Sequence, residues 1–144
     1  MLFCFYATLS IALFKAFLLI FDKKILSTLK KDKKEICLAI NTKEVLKNTM
    51  RVKIENQNIV DIGSDIDVSE GHGNFIGIAK FSKSGAQKLK KKLNLLKNNY
   101  KDYYTEALKK LIKSKNKIRF IDFKSIYWKE IDLTQDYINL KKKY

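Results

Sequence analysis

The chain has 144 residues, which is the length of a single domain, and its hydrophobic content of 46% is that of a globular protein. A formal net charge of +15 would ordinarily indicate nucleic acid or an anionic membrane as a partner. However, only Arg51 and Arg119 among the 30 basic residues are arginines, and bidentate base and phosphate contacts depend on the guanidinium group. We therefore expect no specific nucleic-acid binding. Cys4 and Cys37 have no metal-ligand spacing and require no oxidising compartment.

Residues 1–21 are almost continuously apolar and are followed by Lys23, Lys24 and Lys30. The length is adequate for a transmembrane helix, and the lysines would place the rest of the chain on the cytoplasmic side. Lys15 opposes this interpretation, because a central lysine costs about 2.5–3.5 kcal/mol on membrane insertion. Two interpretations stay open: a membrane anchor, or a buried or wrongly translated segment. We expect a cytoplasmic protein in either case, membrane-associated in the first.

Residues 22–144 have the pattern of a soluble domain in which strands alternate with helices. The apolar periodicity predicts, in chain order, a helix at 24–30, a buried strand at 35–40, a hairpin of 50–55 and 59–62, a central strand at 74–81, a helix capped by Ser82 or Ser84, a helix at 103–112, strands at 118–122 and 126–131, and a final helix at 135–142. This alternation indicates an α/β sheet, mostly parallel with one antiparallel hairpin and with helices on both faces.

Glu130 and Asp132 are separated by one residue at the end of the last predicted strand. Side chains two apart on a strand point to the same face, so both carboxylates could bind a divalent cation as hard oxygen ligands. Alternatively, Asp132 and Gln135 form a capping pair that opens the final helix. The two roles are compatible with each other.

Three segments in order resemble the C-terminal half of the sugar-phosphate and phosphocholine nucleotidyltransferases, especially those associated with phosphoenolpyruvate phosphomutases. These segments are Asn-Phe-Ile-Gly-Ile-Ala-Lys-Phe-Ser at 74–82 with Gly-Ala after it, Tyr-Tyr-Thr-Glu-Ala-Leu at 103–108, and Trp-Lys-Glu-Ile-Asp at 128–132 followed by Asp136. The similarity extends over residues 22–144. It implies a GT-A-like, Rossmann-type α/β fold.

The resemblance also implies an activity and its ligands. In such enzymes the phosphate of a phosphorylated alcohol, phosphonate or sugar phosphate attacks the α-phosphorus of a nucleoside triphosphate, and pyrophosphate leaves. Glu130 and Asp132 match the acids that bind Mg²⁺. Tyr103 and Tyr104 match a region on the acceptor side, where aromatic faces could bind a quaternary ammonium group. Otherwise these two tyrosines begin a helix and bury one ring.

Two parts of the resembling enzymes have no counterpart in this sequence. A glycine-rich loop for the triphosphate is absent from the 144 residues. The position of a second metal-binding acid would fall near Leu18, and leucine cannot bind Mg²⁺. The resemblance therefore implies a truncated domain of the cytidylyl-transferring type that is inactive alone, preceded by the apolar residues 1–21. Two alternatives stay open: a membrane-anchored basic binding domain without catalysis, and a half-enzyme completed by a partner chain.

Overall fold

The computed structural model describes residues 4–7, 10–14, 18–96, 104–131 and Ile138. Its elements in chain order are β1 (Cys4–Ala7), β2 (Ser10–Phe14), β3 (Leu18–Phe21), α1 (Lys24–Lys31), β4 (Ile36–Asn41), β5 (Arg51–Glu55), β6 (Asn58–Gly63), β7 (Gly73–Phe81), α2 (Lys83–Asn94), α3 (Tyr104–Lys113), β8 (Arg119–Asp122) and β9 (Trp128–Ile131). Of the predicted final helix, 135–142, only Ile138 lies within the described residues.

The described parts of the apolar segment 1–21 form three strands, so the transmembrane helix, one of the two interpretations left open for this segment, is not found there. β1 pairs with β2, and β2 lies antiparallel to β7, with Ile11 opposite Phe81. A continuous apolar run suits a strand buried in a sheet as well as a helix, so its pattern alone cannot separate the two. Within the described residues, no helix is both long and apolar enough to cross a membrane.

The main sheet has seven strands, and its described pairs are largely antiparallel. Its order is β1-β2-β7-β4-β8, while β5 pairs with β6 and with the start of β7. Among the strands that the structure describes, only β4 and β8 run parallel, so the expected α/β class and the β5–β6 hairpin are confirmed but the mostly parallel pairing is corrected. A strand buried on both faces is continuously apolar in either direction, and its pattern therefore does not report its orientation. β3 and β9 form a separate two-stranded antiparallel sheet.

Helices pack on both faces of the main sheet, as the sequence predicts. On β4, Ile36, Leu38 and Ile40 belong to the core that includes residues of α2 and α3. Cys37 and Ala39 point to the other face and pack with residues of α1. This alternation along one fully buried strand explains its unbroken apolar sequence.

The start of α2 is closely packed against the residues that precede β4. Ser82 is the N-cap residue, and its hydroxyl accepts a 3.1 Å hydrogen bond from the backbone N–H of Gly85. The backbone N–H of Ser82 donates to the carbonyl oxygen of Glu35 at 2.8 Å. A Cβ atom on Gly85 would overlap that same carbonyl oxygen. The sequence Ser-Lys-Ser-Gly therefore permits both the cap and the close approach.

Candidate active site

The parallel strands β4 and β8 end side by side, and side chains at their carboxyl ends join the two chain segments that follow. The side-chain amide of Asn41 donates a 3.0 Å hydrogen bond to the carbonyl oxygen of Phe123. The carboxylate of Asp122 accepts hydrogen bonds from the backbone N–H of Thr42 at 3.2 Å and from its hydroxyl at 2.5 Å. In open α/β sheets, the carboxyl ends of parallel strands are where ligands bind.

The side chain of Asn74 is hydrogen-bonded to several residues of the 42–50 loop. It lies in β7, is 1% exposed, and its Oδ1 accepts hydrogen bonds from Leu46 N–H and the Thr49 hydroxyl, both at 2.9 Å. Its Nδ2 donates to the carbonyl oxygen of Glu44 at 2.5 Å. Because these bonds engage both ends of the amide, Asn74 shapes the loop instead of offering its polar atoms to a ligand.

A pocket of about 810 Å³ opens at this edge of the sheet, between the 42–50 loop and the segment that enters β9. Its lining contains four lysines, one carboxylate, three amides and several apolar or aromatic side chains, namely Lys43, Lys47, Lys124, Lys129, Glu44, Asn41, Asn48, Asn74, Leu46, Thr49, Ser125, Ile126, Tyr127 and Trp128. The four ammonium groups outnumber the single carboxylate of Glu44. The pocket therefore suits a small anionic ligand with an apolar or sugar-like body.

Two lysines of the loop are well placed to contact such a ligand. Lys43 and Lys47 are exposed, and none of the carboxylates described in the structure forms an ion pair with either. Lys124 differs, because its Nζ lies 3.7 Å from the carboxylate of Asp122. Lysine binds phosphate as a compact point charge, which does not need the fixed geometry of a guanidinium group. Lys43 and Lys47 are thus the principal candidates for phosphate contacts.

The structure places Glu130 in β9, paired with Leu19 of β3 and directly after the pocket residue Lys129. Asp132 lies outside the described residues, so the predicted metal-binding pair stays a prediction. Two carboxylates are the donor chemistry that Mg²⁺ prefers, and in this respect the residues fit the metal. In the part of the chain that the structure describes, no group of three or more His, Cys, Asp or Glu residues could hold a metal ion.

Tyr104, one of the two predicted acceptor residues, lies in the core. It is 9% exposed, its hydroxyl donates to the carbonyl oxygen of Gly77 at 3.3 Å, and its ring meets Phe75 edge-on with 6.1 Å between centroids. These contacts agree with the alternative in which the helix start buries one ring. Tyr103 lies outside the described residues, so an acceptor contact from this pair stays a prediction. The aromatic residues at the pocket are Tyr127 and Trp128.

Several pocket residues are absent from the sequence-based hypothesis. Asn41 and Asn74 carried a detectable signal, since Asn41 ends the otherwise apolar strand β4 and Asn74 is a polar residue near the start of the buried strand β7. Lys43 and Lys47 carried none, because they belong to a chain with a lysine surplus and resemble many exposed lysines. Trp128, the first residue of the predicted motif at 128–132, packs against the α1-side core and also lines the pocket.

Comparisons with known proteins place this geometry in a defined fold. No protein-family model matches the chain, and no curated protein matches it. Solved structures do match. The inositol-1-phosphate CTP transferase from T. maritima has a TM-score of 0.64 at 19% identity, over 96% of this chain and 57% of its own. The CTP:phosphocholine cytidylyltransferase from Streptococcus pneumoniae has a TM-score of 0.60 at 18% identity, over 76% of this chain and 48% of its own.

A third match, from Bacillus anthracis, is provisionally described as a glucose-1-phosphate thymidylyltransferase. It has a TM-score of 0.59 at 10% identity, over 87% of this chain and 50% of its own. The chain therefore has the fold of a nucleotidyltransferase-like domain, which confirms the resemblance at the level of fold. It spans about half the length of the solved structures it matches. At these identities the match establishes the fold and not the activity.

Proposed function

We propose that this chain is the acceptor-binding part of a nucleotidyltransferase, an enzyme that transfers a nucleotidyl group, cytidylyl in our proposal, from a nucleoside triphosphate to a phosphorylated alcohol, phosphonate or sugar phosphate. The observation that carries the proposal is the lysine-rich pocket at the carboxyl ends of β4 and β8. The nucleotidyltransferase-like fold supports it.

The proposed reaction assigns distinct work to the pocket and to the nucleotide site. A phosphate oxygen of the acceptor attacks the α-phosphorus of the triphosphate, and the bond to the pyrophosphate leaving group breaks. Lys43 and Lys47 would bind the acceptor phosphate and orient the attacking oxygen, while the body of the acceptor lies against Trp128. When bound, Mg²⁺ would neutralise charge on the phosphate oxygens, and Glu130 and Asp132 would hold it.

Acceptor binding is the direct test of this proposal. Inositol 1-phosphate, glucose 1-phosphate and phosphocholine are titrated into the purified chain by calorimetry, each beside inositol, glucose or choline as its unphosphorylated counterpart. At least one phosphorylated compound should bind, and its counterpart should not, because the lysines recognise the phosphate. The proposal is wrong if none of the three binds, or if phosphorylation makes no difference.

Turnover is a separate question from binding. The five glycines of the chain lie in β6 (Gly63), in β7 (Gly73 and Gly77), in α2 (Gly85) and in the acidic loop between β6 and β7 (Gly71), so none of them belongs to a basic glycine-rich loop that could enclose a triphosphate. We propose that the chain alone is inactive. Incubated with each of the four nucleoside triphosphates, Mg²⁺ and the acceptor that binds, it should release no pyrophosphate. Sustained pyrophosphate release would overturn the inactivity proposal while leaving acceptor binding intact.

A partner chain that supplies the triphosphate loop is the second candidate. The absence of that loop from a sequence whose described residues form a lysine-lined pocket favours it. Co-purification from the native cell followed by the same pyrophosphate assay distinguishes a half-enzyme from an inactive domain. Activity that appears only in the co-purified complex supports a half-enzyme, whereas a complex that remains inactive argues against it.

A further inference from the structure

Arg51, at the start of β5, has a guanidinium group bound entirely by backbone carbonyls. Its Nε donates to Ile66 O at 2.5 Å, its Nη1 donates to Leu46 O at 2.9 Å and to Lys47 O, and its Nη2 donates to Ser64 O. The residue is 6% exposed, and no described carboxylate forms an ion pair with it. A buried guanidinium group destabilises the fold unless its N–H donors find acceptors. Here four backbone carbonyl oxygens are those acceptors.

These carbonyls belong to two different loops. Leu46 and Lys47 lie in the 42–50 loop and line the pocket, whereas Ser64 and Ile66 follow β6. Arg51 does not line the pocket itself. Its guanidinium group therefore ties the wall of the pocket to a second loop, through the backbone of Lys47, whose side chain is exposed.

The second loop is in turn fixed to the body of the domain. Ile66 is 4% exposed, and the carboxylate of Asp65 lies 2.8 Å from Nζ of Lys109 in α3. Gly71 packs over the stem of Arg51, since a Cβ atom there would lie 3.4 Å from Arg51 Cδ and 3.0 Å from Val45 Cγ1. The guanidinium group is thus anchored on a fixed support and holds the pocket loop against it.

We infer that Arg51 is a positioning residue of the pocket, which sets the path of the 42–50 loop and thereby the placement of Lys43 and Lys47 for an anionic ligand. This inference rests on the proposed function insofar as that ligand is a phosphorylated acceptor. Lysine cannot replace Arg51, because its three donors radiate from one atom and cannot reach carbonyls spread around a planar fork.

The test compares Arg51→Lys with Arg119→Lys. Arg119 is the other arginine of the chain, and its guanidinium group donates to Gln57 O at 2.8 Å, away from the pocket residues. Hydrogen exchange is followed at the Leu46 amide, which Asn74 protects, and at the Phe123 amide, which donates to Ile40 O in the sheet. Inorganic phosphate serves as the binding probe for the pocket.

In Arg51→Lys, amide exchange at Leu46 should become faster by about tenfold or more, because losing a hydrogen bond to a charged group shifts the opening equilibrium of the loop by about this factor. Exchange at Phe123 should stay unchanged. Affinity for inorganic phosphate should fall by about fivefold or more, because a displaced loop weakens the charge-assisted contacts of Lys43 and Lys47 with the phosphate. Arg119→Lys should change neither measurement. A purely structural role would accelerate both amides together and leave the affinity of the folded molecules unchanged, and that result overturns the inference.

Two further outcomes are distinguishable. If the wild-type chain binds none of the phosphorylated acceptors nor phosphate, the proposed function fails, while selective loosening of Leu46 still supports the role of Arg51 in positioning the loop. If Arg51→Lys does not fold, Gly71→Ala keeps the guanidinium group and crowds Val45 of the 42–50 loop, since the new Cβ would lie 3.0 Å from Val45 Cγ1. Gly71→Ala should then loosen Leu46 selectively and weaken phosphate binding, and unchanged values in a folded Gly71→Ala variant overturn the inference.

Discussion

The side-chain amide of Asn41 lies 3.0 Å from the carbonyl oxygen of Phe123, which is 82 residues further along the chain. The Oδ1 atom of the same amide accepts a 3.0 Å hydrogen bond from the backbone N–H of Lys43. One buried side chain, 7% exposed, therefore fixes both segments that leave the parallel pair of strands. Residues of both segments, Lys43 and Lys124 among them, line the pocket.

Replacing Asn41 by leucine should destabilise the fold. Leucine has a similar size but leaves the Phe123 carbonyl and the Lys43 N–H without their partner, and an unsatisfied buried group costs about 1–3 kcal/mol. Urea denaturation measures the free energy of unfolding. Asn48→Leu, at an exposed position of the same pocket, is the control and should change that free energy by less than about 0.5 kcal/mol. Equal stability of Asn41→Leu and wild type would contradict the bridging role of the amide.

Lys109 should control the pKa of Asp65. A hydrogen bond from Lys109 holds the pKa of the Asp65 carboxyl below its ordinary value, so Lys109→Ala should raise that pKa towards the ordinary one. Because the folded-state pKa is depressed, the stability that the pair contributes is present above the ordinary aspartate pKa and is lost as the pH falls through the depressed value. The contribution is small, since the Asp65 side chain is 70% exposed.

Carboxyl chemical shifts followed by NMR during an acid titration measure this effect. Asp67 provides an internal control, because hydrogen bonds from the Ser69 hydroxyl and backbone N–H lower the pKa of its carboxyl. Lys109→Ala should leave the pKa of Asp67 unchanged. A shift of both pKa values together would indicate a general electrostatic change and not loss of one hydrogen bond.

Cys37 should be chemically inert in the folded protein. Burial raises the pKa of its thiol to about 12, and the nearby charge of Asp32 adds to the effect. With Cys4 replaced by serine, a thiol reagent at pH 8 should label the chain slowly under native conditions and rapidly in urea. Rapid labelling without denaturant would contradict the buried position of Cys37 in β4.

Gly85→Ala should destabilise the protein although alanine favours helices. The gain in helix propensity is about 1 kcal/mol, whereas overpacking against a backbone atom costs about 1–3 kcal/mol because a backbone cannot move aside like a flexible side chain. The new methyl group would overlap the carbonyl oxygen of Glu35. Thermal unfolding should show a lower midpoint for Gly85→Ala than for the exposed control Gln87→Ala, and a higher midpoint would refute the close approach of α2.

Local patterns in the sequence were sufficient for the individual elements. The apolar run at 36–40, the Ser82 cap and the amphipathic helix that begins at Tyr104 are all found where the residues predict them. The direction of strand pairing was not accessible in this way. β7 lies antiparallel between β2 and β4, and its fully buried sequence would be the same in a parallel arrangement.

The candidate site was less predictable than the fold, because it is assembled from distant residues. Asn41 and Asn74 are 33 residues apart and meet only because β4 pairs with β7 in a particular register. Arg51 binds carbonyls of two loops, and a carbonyl carries no sequence signature. The carboxylates Glu130 and Asp132, by contrast, could be proposed from spacing and resemblance alone.

The central claim is that the pocket lysines bind the phosphate of an acceptor. The most direct measurement titrates the phosphorylated compound that binds best into the wild type, into Lys43→Ala/Lys47→Ala and into Lys90→Ala/Lys91→Ala. Each double variant loses two positive charges. Lys90 and Lys91, however, lie exposed on α2 and do not line the pocket. Affinity should fall by about tenfold or more in the pocket variant alone, since two charge-assisted contacts are lost. Equal affinities in the two double variants would contradict the claim.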